Sequence, residues 1–124
     1  MTRKYDSSWN KGSIKAFHKK EEEWEGRNWI VWLNANLQFP FMVKRMEDED
    51  DAYFTDIAKH KPFRLGHEMK VLDKIDIEGN YGIVIKVQEE QATGYVPLCD
   101  VEVRPKNDPN YWPVKEYVVW FANR

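Results

Sequence analysis

The chain has 124 residues, enough for one domain with one core, and 32% of them are charged, so six each of Trp, Tyr and Phe must supply much of the apolar surface. Nineteen basic residues against 21 acidic ones leave a formal charge of −2, which excludes a global field for nucleic acid or an anionic membrane and makes any electrostatic function local. A single cysteine, Cys99, excludes an internal disulfide and a multi-cysteine zinc site, and the lack of a long apolar run argues against a membrane helix and for a small soluble cytoplasmic protein.

Residues 1–13, MTRKYDSSWNKGS, show no periodicity and read as a flexible leader, with residues 14–124 forming the single domain. Helical spacing begins at Ile14, with Phe17 and Trp24 on one side, and runs to about residue 37, where Trp29, Trp32, Leu33, Asn36 and Leu37 recur three and four apart. Gly26 weakens this run, and Asn28 is placed to cap its second part. Pro40 ends it, because proline disfavours helical geometry at Phe39 and donates no amide hydrogen bond.

From Phe41 the period falls to two: Phe41 with Val43, Met69 with Val71, and Tyr81 with Ile83, Ile85 and Val87. Short strands over residues 39–104, separated by turn residues, predict a small, strongly bent antiparallel barrel with flanking helices, a mainly β chain of the α+β class. Residues 94–103, GYVPLCDVEV, resemble the end of a Src-homology-3 (SH3)-type barrel, where a strand runs into proline, makes one tight helical turn and re-emerges as the last strand. The position three after Pro97 is Asp100 rather than an aromatic residue, so a polyproline groove would lack a stacking wall. Residues 111–122 carry Tyr117, Trp120 and Phe121 at helical spacing and predict a short C-terminal helix.

Three acidic stretches invite a cation. Glu47, Asp48, Glu49, Asp50 and Asp51 are consecutive; such a run repels itself and suits a solvated loop, or a loose site that captures a divalent cation or a basic partner. Around residues 73–85 the helix-loop-helix calcium pattern is out of phase, with Lys74 at the first ligand position and Ile85 at the last. Asp76, Glu78 and the carbonyls near Gly79 form either a non-standard cation site or an ordinary hairpin with wet acids. In the run KKEEEWE, Lys19 and Lys20 face Glu22 and Glu23 at helical spacing, which a solvated helix face explains.

Nothing in the sequence favours an enzyme: there is no glycine-rich phosphate loop and no serine nucleophile signature. His60 and His67 reach Cys99 only through the fold, as a zinc or nucleophilic site. Tyr81, Tyr95 and Trp112 are either core and rim aromatics or a cage for a methylated amine.

Read end to end, the chain resembles the CcbP-type small calcium-binding protein family. The resemblance is carried by Trp29 to Leu33, by Leu37 to Phe41 with its Phe-Pro-Phe, by Leu65-Gly66, by Val96-Pro97-Leu98 and by Trp120. It implies a non-enzymatic barrel that binds or buffers calcium through clustered carboxylates. The carboxylates it implies are Glu21, Glu22 and Glu23 before the tryptophan helix, Asp73, Asp76 and Glu78 in the strand turn, and Asp108 and Glu116 near the last helix. The alternative is an SH3-like protein-interaction module without metal, whose partner is a protein rather than nucleic acid or a membrane.

Overall fold

The computed structural model describes residues 5–46, 66–79 and 82–124. Ser13 opens the first helix, α1 (Ile14–Trp24), through a hydroxyl that accepts a hydrogen bond from the Ala16 amide at 3.3 Å. Gly26, at φ +72°, then takes the left-handed geometry that ends a helix without a side-chain clash. Two residues later Asn28 accepts from the Val31 amide at 3.2 Å and opens α2 (Trp29–Asn36). The span expected as one helix over 14–37 is therefore two, because a stop and a start fall within three residues.

Nor are residues 5–13 a loose leader. Ser8–Asn10 form a 3-10 turn that buries Trp9, whose ring meets Trp24 and Trp112 edge-on at 5.4 and 5.9 Å. Trp9 also donates its indole N–H to the Tyr5 hydroxyl at 2.9 Å. Two aromatic anchors fix the segment, and a single turn is too short for periodicity to reveal.

Among the described residues six antiparallel strands follow: β1 (Phe41–Arg45), β2 (Glu68–Val71), β3 (Ile77–Gly79), β4 (Gly82–Glu89), β5 (Ala92–Pro97) and β6 (Val101–Arg104). They pair in the order β3-β4-β2-β1-β6, with β5 on β4. β2 and β3 are successive partners of β4, through Val71↔Val87 and Ile77↔Val84. Between them Asn34 of α2 replaces a strand neighbour: its side-chain amide donates to the Ile75 carbonyl at 2.6 Å and its oxygen accepts from the Ile75 amide at 2.8 Å. Pro97 leads into a 3-10 turn, Leu98–Asp100, and then into β6, as GYVPLCDVEV predicts. Among the described residues no ladder joins β5 to β6, so the sheet is strongly bent and open rather than a closed barrel.

Alternation decides what is buried. Phe41, Val43, Met69, Val71, Ile83, Ile85, Val87, Val96, Val101 and Val103 all lie inside, each contributing about 1.5–3 kcal/mol when fully removed from water. The last helix, α3 (Tyr111–Asn123), packs on α2, β6 and the 3-10 turn after β5. Its Pro113 falls in the first turn, where the missing amide costs nothing. Tyr117 of this helix is buried, and its hydroxyl accepts from the Ile83 amide at 2.9 Å. Beneath it Gly82 has φ +91°, and a Cβ there would lie 2.6 Å from both the Tyr117 hydroxyl and the Phe121 ring. Asn110, also buried, joins the approach to β1, accepting from the Gln38 amide at 2.7 Å and donating to its carbonyl at 3.0 Å.

Candidate functional site

Of the eight carboxylates that the resemblance implies, one is deeply enclosed. Glu116 is 2% exposed. Its Oε1 accepts from the Trp24 indole at 2.9 Å and from Arg27 at 3.1 Å, with the Lys20 ammonium at 3.4 Å; its Oε2 accepts from the Tyr5 hydroxyl at 2.5 Å. Burial, and then the hydrogen bond to this carboxylate, hold the Tyr5 phenol well above its ordinary range. Both oxygens are thus engaged, and Lys20 and Arg27 already supply the countercharge, so a metal would have to compete with both for this carboxylate. Glu116 acts as a structural carboxylate that ties the N-terminal segment, α1 and α3 together. The signal was present in its spacing: Trp112, Glu116 and Trp120 are four apart, so the acid lies on the aromatic stripe and needs a buried partner. Tyr5, Lys20 and Arg27, the partners, are dispersed in sequence and carry no pattern.

The other carboxylates fall into separate places. Glu21 and Glu22 of α1, with Glu25 just beyond it, line a cleft of about 490 Å³ against Trp120 and Asn123 of α3. Glu21 also meets His18 at 3.2 Å, while Glu23 pairs with Lys20 at 2.9 Å. Asn123 donates its side-chain amide to the Val119 carbonyl at 2.8 Å, which leaves its oxygen as an acceptor. Arg124 lines the same cleft and competes with any cation for these acids.

The strand turn does not gather its acids. Asp73 and Asp76 border a depression of about 380 Å³ together with Lys74 and Lys86, and the Asp73 Oδ1 accepts from the Lys74 amide at 2.8 Å. Glu78 lines a different cleft, beside Arg27 and Arg124. Asp108 closes the turn before α3, where its Oδ1 accepts from the Asn110 amide at 2.8 Å. Among the described residues no three His, Cys, Asp or Glu side chains converge to enclose an ion. The acidic loop of Glu47, Asp48, Glu49, Asp50 and Asp51 lies outside the described residues, as do His60 and Tyr81.

Two further expectations separate in space. His67 pairs with Glu89 at 3.0 Å, whereas Cys99 sits by Asp100, so they share no metal or nucleophilic site. Burial, and then the neighbouring Asp100, push the Cys99 thiol up to about 11. Trp112 stacks on Tyr5 at 5.2 Å and packs against Tyr111, a core role, while Tyr95 is 57% exposed on β5.

A family model described as calcium binding, of the CcbP type, matches residues 14–121. The chain belongs to the CcbP calcium-binding family. Among solved structures, the crystal structure of Anabaena CcbP matches with a TM-score of 0.54 and 16% sequence identity, covering 98% of this chain and 94% of that one; at that identity the likeness speaks for the fold. A search of curated protein sequences finds no match. Several segments on which the sequence resemblance rests are packing segments: within Phe-Pro-Phe, Phe41 is buried, as is Leu98 after Val96-Pro97, and Trp29 and Leu33 are buried, Trp29 against Tyr117 of α3. No helix among the described residues is long and apolar enough to cross a membrane.

Proposed function

We propose that the chain is a non-enzymatic calcium-binding protein that takes up Ca²⁺ reversibly in the cleft between α1 and α3. The observation that carries this reading is that Glu21, Glu22 and Glu25 line one cleft in a chain of the CcbP calcium-binding family. Calcium prefers six to eight hard oxygens in flexible geometry, and glutamates supply these by rotamer changes that the fold does not resist. Asn123 adds a neutral oxygen. Asp73 and Asp76 form a second, weaker locus, because Lys74 and Lys86 stand beside them. Separate exposed carboxylates suit a buffer of low affinity rather than a rigid sensor. The pairing of β1 with both β2 and β6, and the 3-10 turn before β6, support an SH3-like arrangement of the sheet that presents these acids.

Calorimetric and NMR titration of the whole chain with calcium tests the proposal. Amides of residues 21–25 and 119–124 are expected to shift and saturate, and replacing Glu21, Glu22 and Glu25 together by Gln removes the effect without unfolding the domain. Saturation centred on residues 73–79 instead moves the site to the strand turn. No saturable shift anywhere by ~10 mM calcium, beyond the weakest extracellular calcium modules, refutes calcium binding and leaves the protein-interaction alternative.

A further inference from the structure

A half-enclosed cavity of about 170 Å³ lies between β6, α3 and the 3-10 turn Leu98–Asp100, and it shares no lining residue with the glutamate cleft. Its walls are mainly valine. Val101 and Val103 point inward from β6, two residues apart, and Val114 and Val118 come from successive turns of α3. Valine is short and branched at Cβ, so side chains that meet across this seam leave a gap that a longer one would have filled. Cys99 and the flexible Met46 complete the apolar lining. An apolar cavity of about 150 Å³ stays dry and accepts one benzene, so this one suits an apolar body of about six carbons.

Two polar groups in the lining indicate what such a ligand carries. Tyr111 is 8% exposed, and its hydroxyl has no hydrogen-bond partner among the described residues. That oxygen is not fully covered, and the cavity is the space its side chain lines. Burial, and then the Glu102 carboxylate, raise the Tyr111 phenol above its ordinary range, so it stays protonated and available as a donor. A buried hydroxyl without an acceptor is costly, and a ligand acceptor relieves that cost.

The second group is Lys115, which lines the same cavity and is claimed by no ion pair among the described residues. Its long stem can cover the apolar wall while the ammonium keeps to the water side. Glu102, the one carboxylate in the described lining, is already matched, with its Oε1 3.1 Å from Arg104 and 3.9 Å from Lys106. An unclaimed cation and an unclaimed hydroxyl beside an apolar space call for a single negative charge on an apolar tail.

We infer that this cavity binds a short unbranched alkyl carboxylate of about six carbons, its chain enclosed by Val101, Val103, Val114 and Val118 and its carboxylate held by the Tyr111 hydroxyl and the Lys115 ammonium. An unbranched chain follows an irregular seam by rotation about its bonds, and the Met46 thioether adjusts to it. A much longer chain outgrows the space, so the site selects by length as well as by charge.

The test is an NMR titration of the whole chain, followed at the Val101, Val103, Val114 and Val118 methyl groups, with sodium acetate, butanoate, hexanoate, octanoate and decanoate at matched ionic strength. Hexanoate is expected to shift these methyls with saturation. Affinity should rise about fourfold per methylene from butanoate to hexanoate, the gain from burying one CH₂, and level off by octanoate. Hexylamine, which reverses the charge, binds roughly tenfold more weakly or worse. Lys115→Gln removes a charge without touching the core and weakens hexanoate about two- to fivefold while leaving hexanol unaffected. Tyr111→Phe weakens hexanoate about two- to tenfold, the worth of one hydrogen bond. Val118→Phe fills the cavity from a half-buried position and removes the hexanoate shifts at Val101 and Val103. Shifts that grow without saturation, affinity independent of chain length, affinity that still climbs at decanoate, equal binding of hexylamine, or a Lys115→Gln variant that binds hexanoate as well as the parent each overturns the assignment.

Discussion

Replacing Glu116 by Gln probes the centre of the fold with almost no change of shape. The amide oxygen can still accept from Trp24 and Arg27, but the negative charge that faces Lys20 and Arg27 is gone. Those two side chains are only 14% and 13% exposed, so water recovers their solvation poorly. Removing one partner of a fully buried ion pair costs about 3–5 kcal/mol; with both cations near the rim, a discounted loss of about 2–3 kcal/mol is expected. Tyr5 adds to this, because its hydroxyl would face an N–H donor where it now has a carboxylate acceptor. In urea denaturation near neutral pH, with a slope of about 1.5 kcal/mol/M for a domain of this size, the midpoint should fall by about 1.5–2 M. A second measurement separates the charge effect from simple loss of packing: in an Arg27→Gln background the same substitution should cost clearly less, giving a coupling energy of about 1 kcal/mol or more. A midpoint shift below about 0.3 M would refute the reasoning, and so would equal costs in both backgrounds. If Glu116 instead served calcium, its replacement would spare the calcium-free protein and remove only the stabilisation that calcium adds.

Gly82→Ala should cost about 2–4 kcal/mol in the same assay, since it adds left-handed strain to a collision with Tyr117 and Phe121, and a loss under about 1 kcal/mol would mean that the α3 seam is looser than its distances imply. Asn110→Ala breaks two hydrogen bonds to the Gln38 backbone and should lose about 2 kcal/mol while speeding hydrogen exchange at the Gln38 amide; unchanged exchange would show that the amide is protected by something else. With its thiol pushed up to about 11, Cys99 should alkylate slowly at pH 8 and faster with each step in pH until the rate levels off near 11, because the thiolate is the reacting form; a rate that levels off near pH 9 would contradict that shift.

The strands were legible because burial on one face leaves a period of two in the sequence, and Met69, Val71, Ile83, Ile85 and Val87 all point where that period puts them. The tight turn at Pro97 was legible for a local reason, a fixed backbone angle at a residue that cannot donate. The break between α1 and α2 had both of its markers, Gly26 and Asn28, yet the apolar spacing runs through them and masks the change of direction. The docking of Tyr5 and Trp9 was not legible, since two aromatics in a polar stretch have no period. The acids were visible as residue types, but their spatial grouping was not. Spacing shows neither that Glu116 is claimed by Tyr5, Lys20, Trp24 and Arg27, nor that Asp76 and Glu78, two positions apart, open onto different clefts. Family membership was legible because the packing motifs are constrained by a dense core, whereas the surroundings of a carboxylate depend on which cations the fold brings beside it.

The bridge from Asn34 to Ile75 has a thermodynamic consequence for any ion that visits Asp73 and Asp76. A side chain that both donates to and accepts from one residue acts as a surrogate strand, so the backbone under those carboxylates is already committed before a ligand arrives. Binding there would order side chains only, and its heat-capacity change should stay close to zero, in contrast to loops that fold around their ion and bury apolar surface as they do so. The turn is in this sense a rigid shelf, and its affinity is set by how water and Lys74 compete for the shelf's edge rather than by the cost of building it.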